Sequence, residues 1–163
     1  TSGADVEISD MLAQSVGLQL TKKAGLKKSN VIIGNTAESQ RDVLVQPEVL
    51  AEKAGAEMVL YVRLEQFELI NMHSNQIYSA RMLCRGVLLD VKSGQTLWPT
   101  NTGSLETDIG IDMMAKGRDA MLSRLCAASA HCIVRNLYTC YKTEYRVNEE
   151  RSNLNEMIQQ DVY

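Results

Sequence analysis

The sequence has no long apolar run, little net charge and only two histidines, and these absences narrow the kinds of protein it can encode. Apolar stretches such as residues 58–62 are far shorter than the roughly 20 residues that a membrane-spanning helix needs. The 17 Lys and Arg and the 20 Asp and Glu are spread along the chain, so the formal charge of -3 provides no strong field for nucleic acid or an anionic membrane. We therefore expect no membrane span, no nucleic-acid partner, and recognition through shape or local contacts.

What the sequence does have is the composition of one folded domain. It is 163 residues long, 45% hydrophobic and 23% charged, which is close to the average for globular proteins and enough to bury a core. We place a single domain at residues 1–147 and a C-terminal tail at residues 148–163. The tail is polar but keeps apolar residues three, one and four positions apart, a spacing consistent with a short helix.

Three elements are predicted in the first third of the chain. Apolar residues recur every four positions within residues 4–23, which predicts an amphipathic helix. The β-branched run at residues 30–34 is bounded by turn-forming residues and predicts a buried strand. Pro47 suits the first position of a short helix, which Gly55 ends. Residues 35–45 are polar and show no clear pattern.

Two long strands are predicted next. In the first, the apolar residues alternate and then change phase near Glu65 and Gln66, so we expect a β-bulge there. These residues are Met58, Leu60, Val62, Leu64, Phe67 and Leu69. A loop at residues 71–76 follows. The second strand, at residues 77–91, has apolar side chains on both faces, which predicts a central position in the sheet.

A hairpin and a long helix complete the predicted domain. Residues 92–94 predict a tight turn, and residues 95–98 the returning strand, which Pro99 stops. The acidic, glycine-containing segment at residues 102–112 predicts a loop. Helical spacing of apolar residues at 114–140 predicts a helix of about thirty residues. The expected fold is therefore α/β of the α+β type: a mixed, largely antiparallel sheet with long hairpin strands, packed by an N-terminal helix, a short helix and a long C-terminal helix.

The four cysteines do not predict a disulfide framework. Cys126, Cys132 and Cys140 fall on the predicted long helix, where neighbouring pairs would lie roughly 9–12 Å apart along the axis. A disulfide needs Cα atoms within about 7 Å of each other. At most one bridge can therefore form, from Cys84 to one of these three, and at least two thiols stay free. We expect the helix cysteines to act as small core hydrophobes.

No catalytic, cofactor or metal site can be assembled from the sequence. His73 lies in the predicted hairpin loop, and His131 lies on the long helix without the partner four residues away that a helical zinc site requires. No Gly-x-Ser-x-Gly motif occurs, and residues 91–96 have the residue types of a phosphate-binding loop in the wrong order. We therefore expect a protein that is not an enzyme and that needs no cofactor.

Three groups of charged residues could suggest a site, and each has a simpler interpretation. Glu65 and Glu68 would face opposite sides of a regular strand, although a bulge could realign them. Asp108 and Asp112 share the predicted loop with Gly110 and are interpreted as solvated charge, or as a helix N-cap for Asp112. A basic cluster without interleaved aromatic residues suits the C-terminal end of the first helix; it comprises Lys22, Lys23, Lys27 and Lys28.

Two segments, residues 54–62 and residues 87–98, have a more specific signature. They resemble the helix-to-strand transition and the Asp-x-x-Thr-Gly-x-x-x-Trp hairpin of a superfamily of bacterial envelope proteins. That superfamily includes the amino-terminal domain of TolB, the curli secretion lipoprotein, the Pel exopolysaccharide lipoprotein and the lipoprotein activators of penicillin-binding proteins. Four residues fit the structural roles of these motifs: Gly55 releases the short helix, Asp90 binds turn amides, Gly94 supplies positive φ, and Trp98 caps the core.

The resemblance covers about a third of the chain in its close form, residues 47–98, and it implies a function. It implies a non-enzymatic accessory module of envelope assembly or secretion, in the periplasm or at the inner face of the outer membrane. Such proteins are often lipid-anchored through an upstream cysteine and act with protein partners or with further copies of themselves. The alternative is a ligand- or nucleic-acid-binding α/β module, which predicts a concave apolar pocket or a basic face.

Overall fold

The computed structural model describes residues 3–34, 46–71, 78–100, 103–114, 117–140 and 148–149. Within these ranges the chain forms three α-helices and five β-strands. The helices are α1 (Gly3–Lys22), α2 (Pro47–Lys53) and α3 (Arg118–Val134). The strands are β1 (Met58–Asn71), β2 (Tyr78–Asp90), β3 (Thr96–Trp98), β4 (Leu105–Met114) and β5 (Asn148–Glu149). Short 3₁₀ turns lie at Lys28–Asn30 and Arg135–Leu137.

The strands form one antiparallel sheet in the order β1-β2-β4-β5, and β3 pairs with the end of β2. The predicted α+β class is therefore confirmed, with β2 in the central position that its two apolar faces indicated. The turn after β2 is confirmed as well, because β3 returns antiparallel to β2 directly after it. The short helix at Pro47 also forms, with proline in its first turn.

The predicted bulge in β1 is present. Leu64 pairs with Cys84 and Gln66 pairs with Leu83, so Glu65 is an extra residue that faces no partner of its own in the β1–β2 ladder. The extra residue explains the phase change in the sequence. Before it, the even-numbered side chains of β1 point toward the helices; after it, the odd-numbered ones do.

The core lies between one face of the sheet and the two long helices. α3 packs on β2 and β4, and α1 packs against α3. Residues 128–134 of α3 are all buried, so this end of the helix is covered on every side. A Cβ atom at Gly86 of β2 would lie only 3.2 Å from Ile133 Cγ2, which shows how closely helix and strand approach.

The predicted strand at residues 30–34 is wrong. Residues 28–30 form a 3₁₀ turn, and residues 31–34 form no strand, although Val31 has an extended backbone with φ -115° and ψ 116°. Ile32 is 62% exposed, while Ile33 lies against α1 beside Gly17, where a Cβ atom would sit 2.6 Å from Ile33 Cδ1. β-branched residues favour extended backbone, but a strand also needs a partner, and this segment packs on a helix instead.

The predicted loop at residues 102–112 is also wrong, because β4 occupies most of it. Asp112 therefore lies in a strand and does not cap a helix. The segment alternates between Leu105, Thr107, Ile109 and Ile111 on the helix side and Glu106, Asp108 and Gly110 on the other. This alternation of apolar and polar residues is the pattern of a half-buried strand, which the glycine and the acidic residues obscured.

The long helix is shorter than predicted. α3 begins at Arg118, after Gly117 with φ 85°, and ends at Val134 before a 3₁₀ turn. Cys140 therefore lies beyond the helix that holds Cys126 and Cys132. In the predicted tail, Asn148 and Glu149 pair with β4, and residues 150–163 lie outside the described residues, as do residues 35–45 and 72–77.

Deleting one residue tests the assignment of the bulge. Deletion of Glu65 leaves a regular ladder with every side chain on its present face, and we expect the free energy of unfolding to fall by no more than about 1 kcal/mol, from the loss of exposed ion pairs. Deletion of Glu68 removes the same charge but moves Gln66 to the helix side and Phe67 off it, and should cost more than about 2 kcal/mol. Chemical denaturation of both variants measures the difference; equal losses would contradict the bulge.

Candidate functional site

The face of the sheet opposite α1 and α3, here called the open face, carries most of the charged side chains that the strands bring together. The register sets Arg63 of β1 beside Arg85 of β2, and Arg85 beside Glu106 of β4. Opposite residues of an antiparallel pair point to the same face, so these three side chains form a row across the sheet.

The row is held by ion pairs that centre on the bulge. Arg85 Nη2 donates to Glu106 Oε2 at 3.0 Å, and Arg85 Nε lies 3.6 Å from Glu65 Oε1. Arg63 donates to the same carboxylate oxygen of Glu65 from both Nε and Nη2. The bulge thus places Glu65 between two guanidinium groups. All four side chains are between 25% and 55% exposed, so each pair contributes little stability, on the order of 0–1 kcal/mol.

A second ion pair on this face is of a different kind. Arg81 donates from Nε to Asp108 Oδ1 at 2.8 Å and from Nη2 to Asp108 Oδ2 at 2.5 Å, which is the two-pronged geometry of a strong Arg–carboxylate pair. The Asp108 side chain is only 3% exposed, whereas that of Arg81 is 44% exposed. The arginine therefore compensates the charge of a carboxylate that has almost no access to water.

A shallow hollow lies next to the row of charges. Its volume is about 160 Å³, and it is lined by Tyr61, Arg63, Arg85, Gly86, Val87 and Ser104. Pockets for small molecules usually measure roughly 300–1,000 Å³, so this hollow is too small to enclose a ligand of ordinary size. Tyrosine and arginine side chains at its rim are the residue types that protein interfaces favour.

Asp90 and Gly94, the two turn residues of the β2–β3 hairpin, stabilise that turn. Asp90 Oδ2 accepts hydrogen bonds from the Ser93 hydroxyl and, at 2.8 Å, from the Ser93 amide. These bonds, the hydroxyl's first, lower the pKa of Asp90 below its usual value. Gly94 has φ 68°, and its amide donates to the Asp90 carbonyl at 2.8 Å.

Gly55 and Trp98 also have structural roles. Gly55, with φ 73°, and Ala56 donate at 2.9 Å to the carbonyls of Glu52 and Ala51, which is the Schellman arrangement that ends a helix. Trp98 pairs with Leu88 and reaches toward Gly86. Together with Asp90 and Gly94, these residues shape one end of the sheet, beyond the charged row.

The remaining candidates from the sequence do not converge. The bulge does bring Glu65 and Glu68 to the same face, but Glu65 is bound by arginines and Glu68 Oε1 accepts from Gln66 Nε2 at 2.6 Å. His131 is buried in α3, and His73 lies outside the described residues. The four lysines around the end of α1 are exposed. Among the described residues, no group of three or more His, Cys, Asp or Glu side chains could hold a metal ion.

The cysteines are free thiols, and three of them are buried. Cys84 points from β2 into the core, and Cys126 enters the same core from α3. Burial raises the pKa of Cys84 to about 12, with smaller contributions from the nearby Cys126 and Glu65, and burial raises the pKa of Cys126 to about 11. Such thiols are poor nucleophiles at neutral pH, which agrees with a packing role.

Sequence reasoning missed the arginines of the open face. Arg81 and Asp108 are 27 positions apart, and their pairing follows only when β4 is recognised as a strand beside β2. The alternation of polar and apolar residues in 105–111 was the available signal. With that strand assigned, cross-strand pairing would have suggested the row of charges.

Comparisons with known proteins add little to this geometry. No protein-family model matches the sequence, and no curated protein matches it significantly. Among solved structures, the chain is similar to the crystal structure of lipoprotein GNA1162 from Neisseria meningitidis, with 20% sequence identity and a TM-score of 0.36. The similarity covers 72% of this chain and 69% of that one, and at this level it carries no functional inference.

None of the helices that the structure describes combines the length and the hydrophobicity needed to cross a membrane.

Thiol labelling tests the assignment of the cysteines to the core. At pH 8 Cys84 and Cys126 have almost no thiolate, so we expect the half-buried Cys140 to react with Ellman's reagent first and the buried thiols only on unfolding. Cys140→Ser should remove the fast phase, while denaturant should expose all the remaining thiols. Rapid modification of Cys84 in the native protein, found by peptide mapping, would contradict this packing.

Two arginine substitutions test whether the partly buried Arg81–Asp108 pair contributes more to stability than the exposed ion pairs of Arg118. Arg81→Met leaves the Asp108 carboxylate buried without its partner and should lower the free energy of unfolding by about 1–3 kcal/mol. Arg118→Met breaks the pairs with Glu7 and Asp119, whose side chains are 54% and 92% exposed, and should cost less than about 1 kcal/mol. Urea denaturation of both variants at equal ionic strength checks the order.

Proposed function

We propose that this chain is a non-enzymatic accessory module of bacterial cell-envelope assembly or secretion, belonging to a lipid-anchored protein. In this proposal the module works through protein–protein contacts, and its open face binds the partner. The envelope role is supported by the sequence resemblance of residues 54–62 and 87–98. The role of the open face is supported by its composition and geometry.

The single observation that carries the binding role is the row of arginines and carboxylates beside the hollow. Arg63 and Arg85 are held in place by Glu65 and Glu106, so a partner that meets them finds side chains already ordered, which lowers the entropic cost of binding. Tyr61 and Val87 add apolar area next to these charges. Ordered arginine and tyrosine around a small apolar centre are typical of binding hot spots.

The alternative of a ligand- or nucleic-acid-binding module has less support. The hollow is smaller than a ligand pocket, and the charged row contains carboxylates as well as arginines. Nucleic-acid binding normally uses a continuous basic surface that follows the phosphates. The mixed charges of the open face fit a protein partner with a complementary mixed surface better.

Complementation in the natural host tests the binding role of the open face. A deletion strain should show an envelope defect, such as sensitivity to detergent, that the full-length wild-type protein corrects. We expect Tyr61→Ala/Arg85→Ala to fold but fail to correct it, because the hollow loses its rim. Leu97→Ala/Lys92→Ala removes an exposed apolar and a basic side chain from the hairpin end and should behave as wild type. Full correction by both double variants would contradict the role of the open face.

Labelling in the same host tests the lipid anchor separately. The full-length protein, grown with an alkyne analogue of palmitate, should carry the label and fractionate with membranes. An unlabelled protein in the cytosolic fraction would contradict the envelope proposal, whatever the outcome of complementation.

A further inference from the structure

The outer edge of β1, which faces away from β2, is the longest strand edge without a partner strand among the described residues. β1 pairs with β2 over its whole length, from Met58 to Asn71, and it stands at one end of the strand order. Within the described residues no strand pairs with its other edge. Such an edge presents a row of backbone N–H and C=O groups that can template a further strand.

β1 has two of the usual protections of an edge strand, charged side chains and a bulge, and lacks others. It contains no proline and no lysine, and it is fourteen residues long. Met58 and Ile70 near its two ends are 54% and 58% exposed. The bulge at Glu65 interrupts the edge, so a partner strand must accommodate an irregularity at that point.

Two copies of β1 have complementary side chains in one antiparallel register. When Arg63 of one copy stands opposite Glu68 of a second copy, Tyr61 stands opposite Ile70, and these four side chains all point to the open face. On the helix side, Leu64 then stands opposite Phe67 and Val62 opposite Leu69. The bulge accounts for this agreement, because residues before and after it alternate in opposite phase.

Neighbouring registers match less well. A slip of one residue sets open-face side chains against helix-side ones, so that Leu64 meets a charged or amide side chain. A slip of two residues in one direction sets Glu65 opposite Glu68 twice, and a slip in the other direction sets Arg63 opposite Gln66. Like charges directly opposite each other destabilise a strand pair, and opposite charges stabilise it. Charge complementarity thus selects one register and one occupant.

We propose that two copies of this chain form a two-fold symmetric dimer by antiparallel pairing of β1 with β1, with Arg63 opposite Glu68. The two sheets become one continuous sheet, and the helices of both copies lie on the same side. The interface is isologous, so each Arg63–Glu68 contact occurs twice. The Arg63 side chain is 55% exposed and Glu68 is exposed, so both can reach across the edge. The inference stands independently of the proposed function.

Charge reversal tests the dimer with the 163-residue chain. Light scattering and sedimentation should give the wild type twice the 18.1 kDa chain mass. Arg63→Glu and Glu68→Arg each place like charges opposite twice, and each should raise the dissociation constant about tenfold or more. The double variant Arg63→Glu/Glu68→Arg should restore the dimer. An equimolar mixture of the two single variants should form a heterodimer, because each then meets an opposite charge.

Matched controls separate association from folding. Glu52→Arg and Lys53→Glu change the same charges on exposed positions of α2 and should leave the dimer unchanged. Circular dichroism should show the wild-type fold in every variant. A wild-type chain that stays monomeric up to about 1 mM would overturn the proposal. So would a dimer that neither single variant weakens, or a double variant that fails to restore association.

Discussion

The packing of α3 on β2 is the contact on which the rest of the structure depends, because it fixes which face of the sheet is buried. β2 presents Met82, Cys84 and Gly86 to the helix, and the absence of a side chain at Gly86 lets Ile133 come close. α1 also packs against α3. A helix that packs closely on both a sheet and a second helix suits small residues, and cysteine and alanine are frequent along α3.

The other face of β2 combines charged and apolar side chains. On the open face of β2, Arg81 and Arg85 pair with carboxylates of β4, while Leu83 and Leu89 are apolar and buried. Asp108 is the covered charge of this group, and it depends on Arg81. Cross-strand ion pairs therefore order part of the open face, whereas the helix side is ordered by apolar packing.

Much of the sheet could be predicted from local pattern, and the site could not. The bulge at Glu65 produces a visible change of phase in the alternation of apolar and polar residues along β1. The hairpin after Asp90 contains residues that are typical of tight turns. The strand prediction for residues 30–34 was wrong because β-branched residues indicate an extended backbone but do not show whether a partner strand is present. β4 was not predicted because its glycine and acidic residues suggested a loop. Without that strand, the ion pairs of the open face could not be predicted either.

Glu65 connects the open face with the edge of the sheet. As an inserted residue it brings its carboxylate between Arg63 and Arg85, and it also changes the phase of β1 so that Arg63 and Glu68 lie on the same face on either side of it. Two like charges at these positions would repel any second copy in the matching register, whereas an Arg and a Glu attract each other there. The charges that make an edge strand soluble can therefore also specify how it pairs.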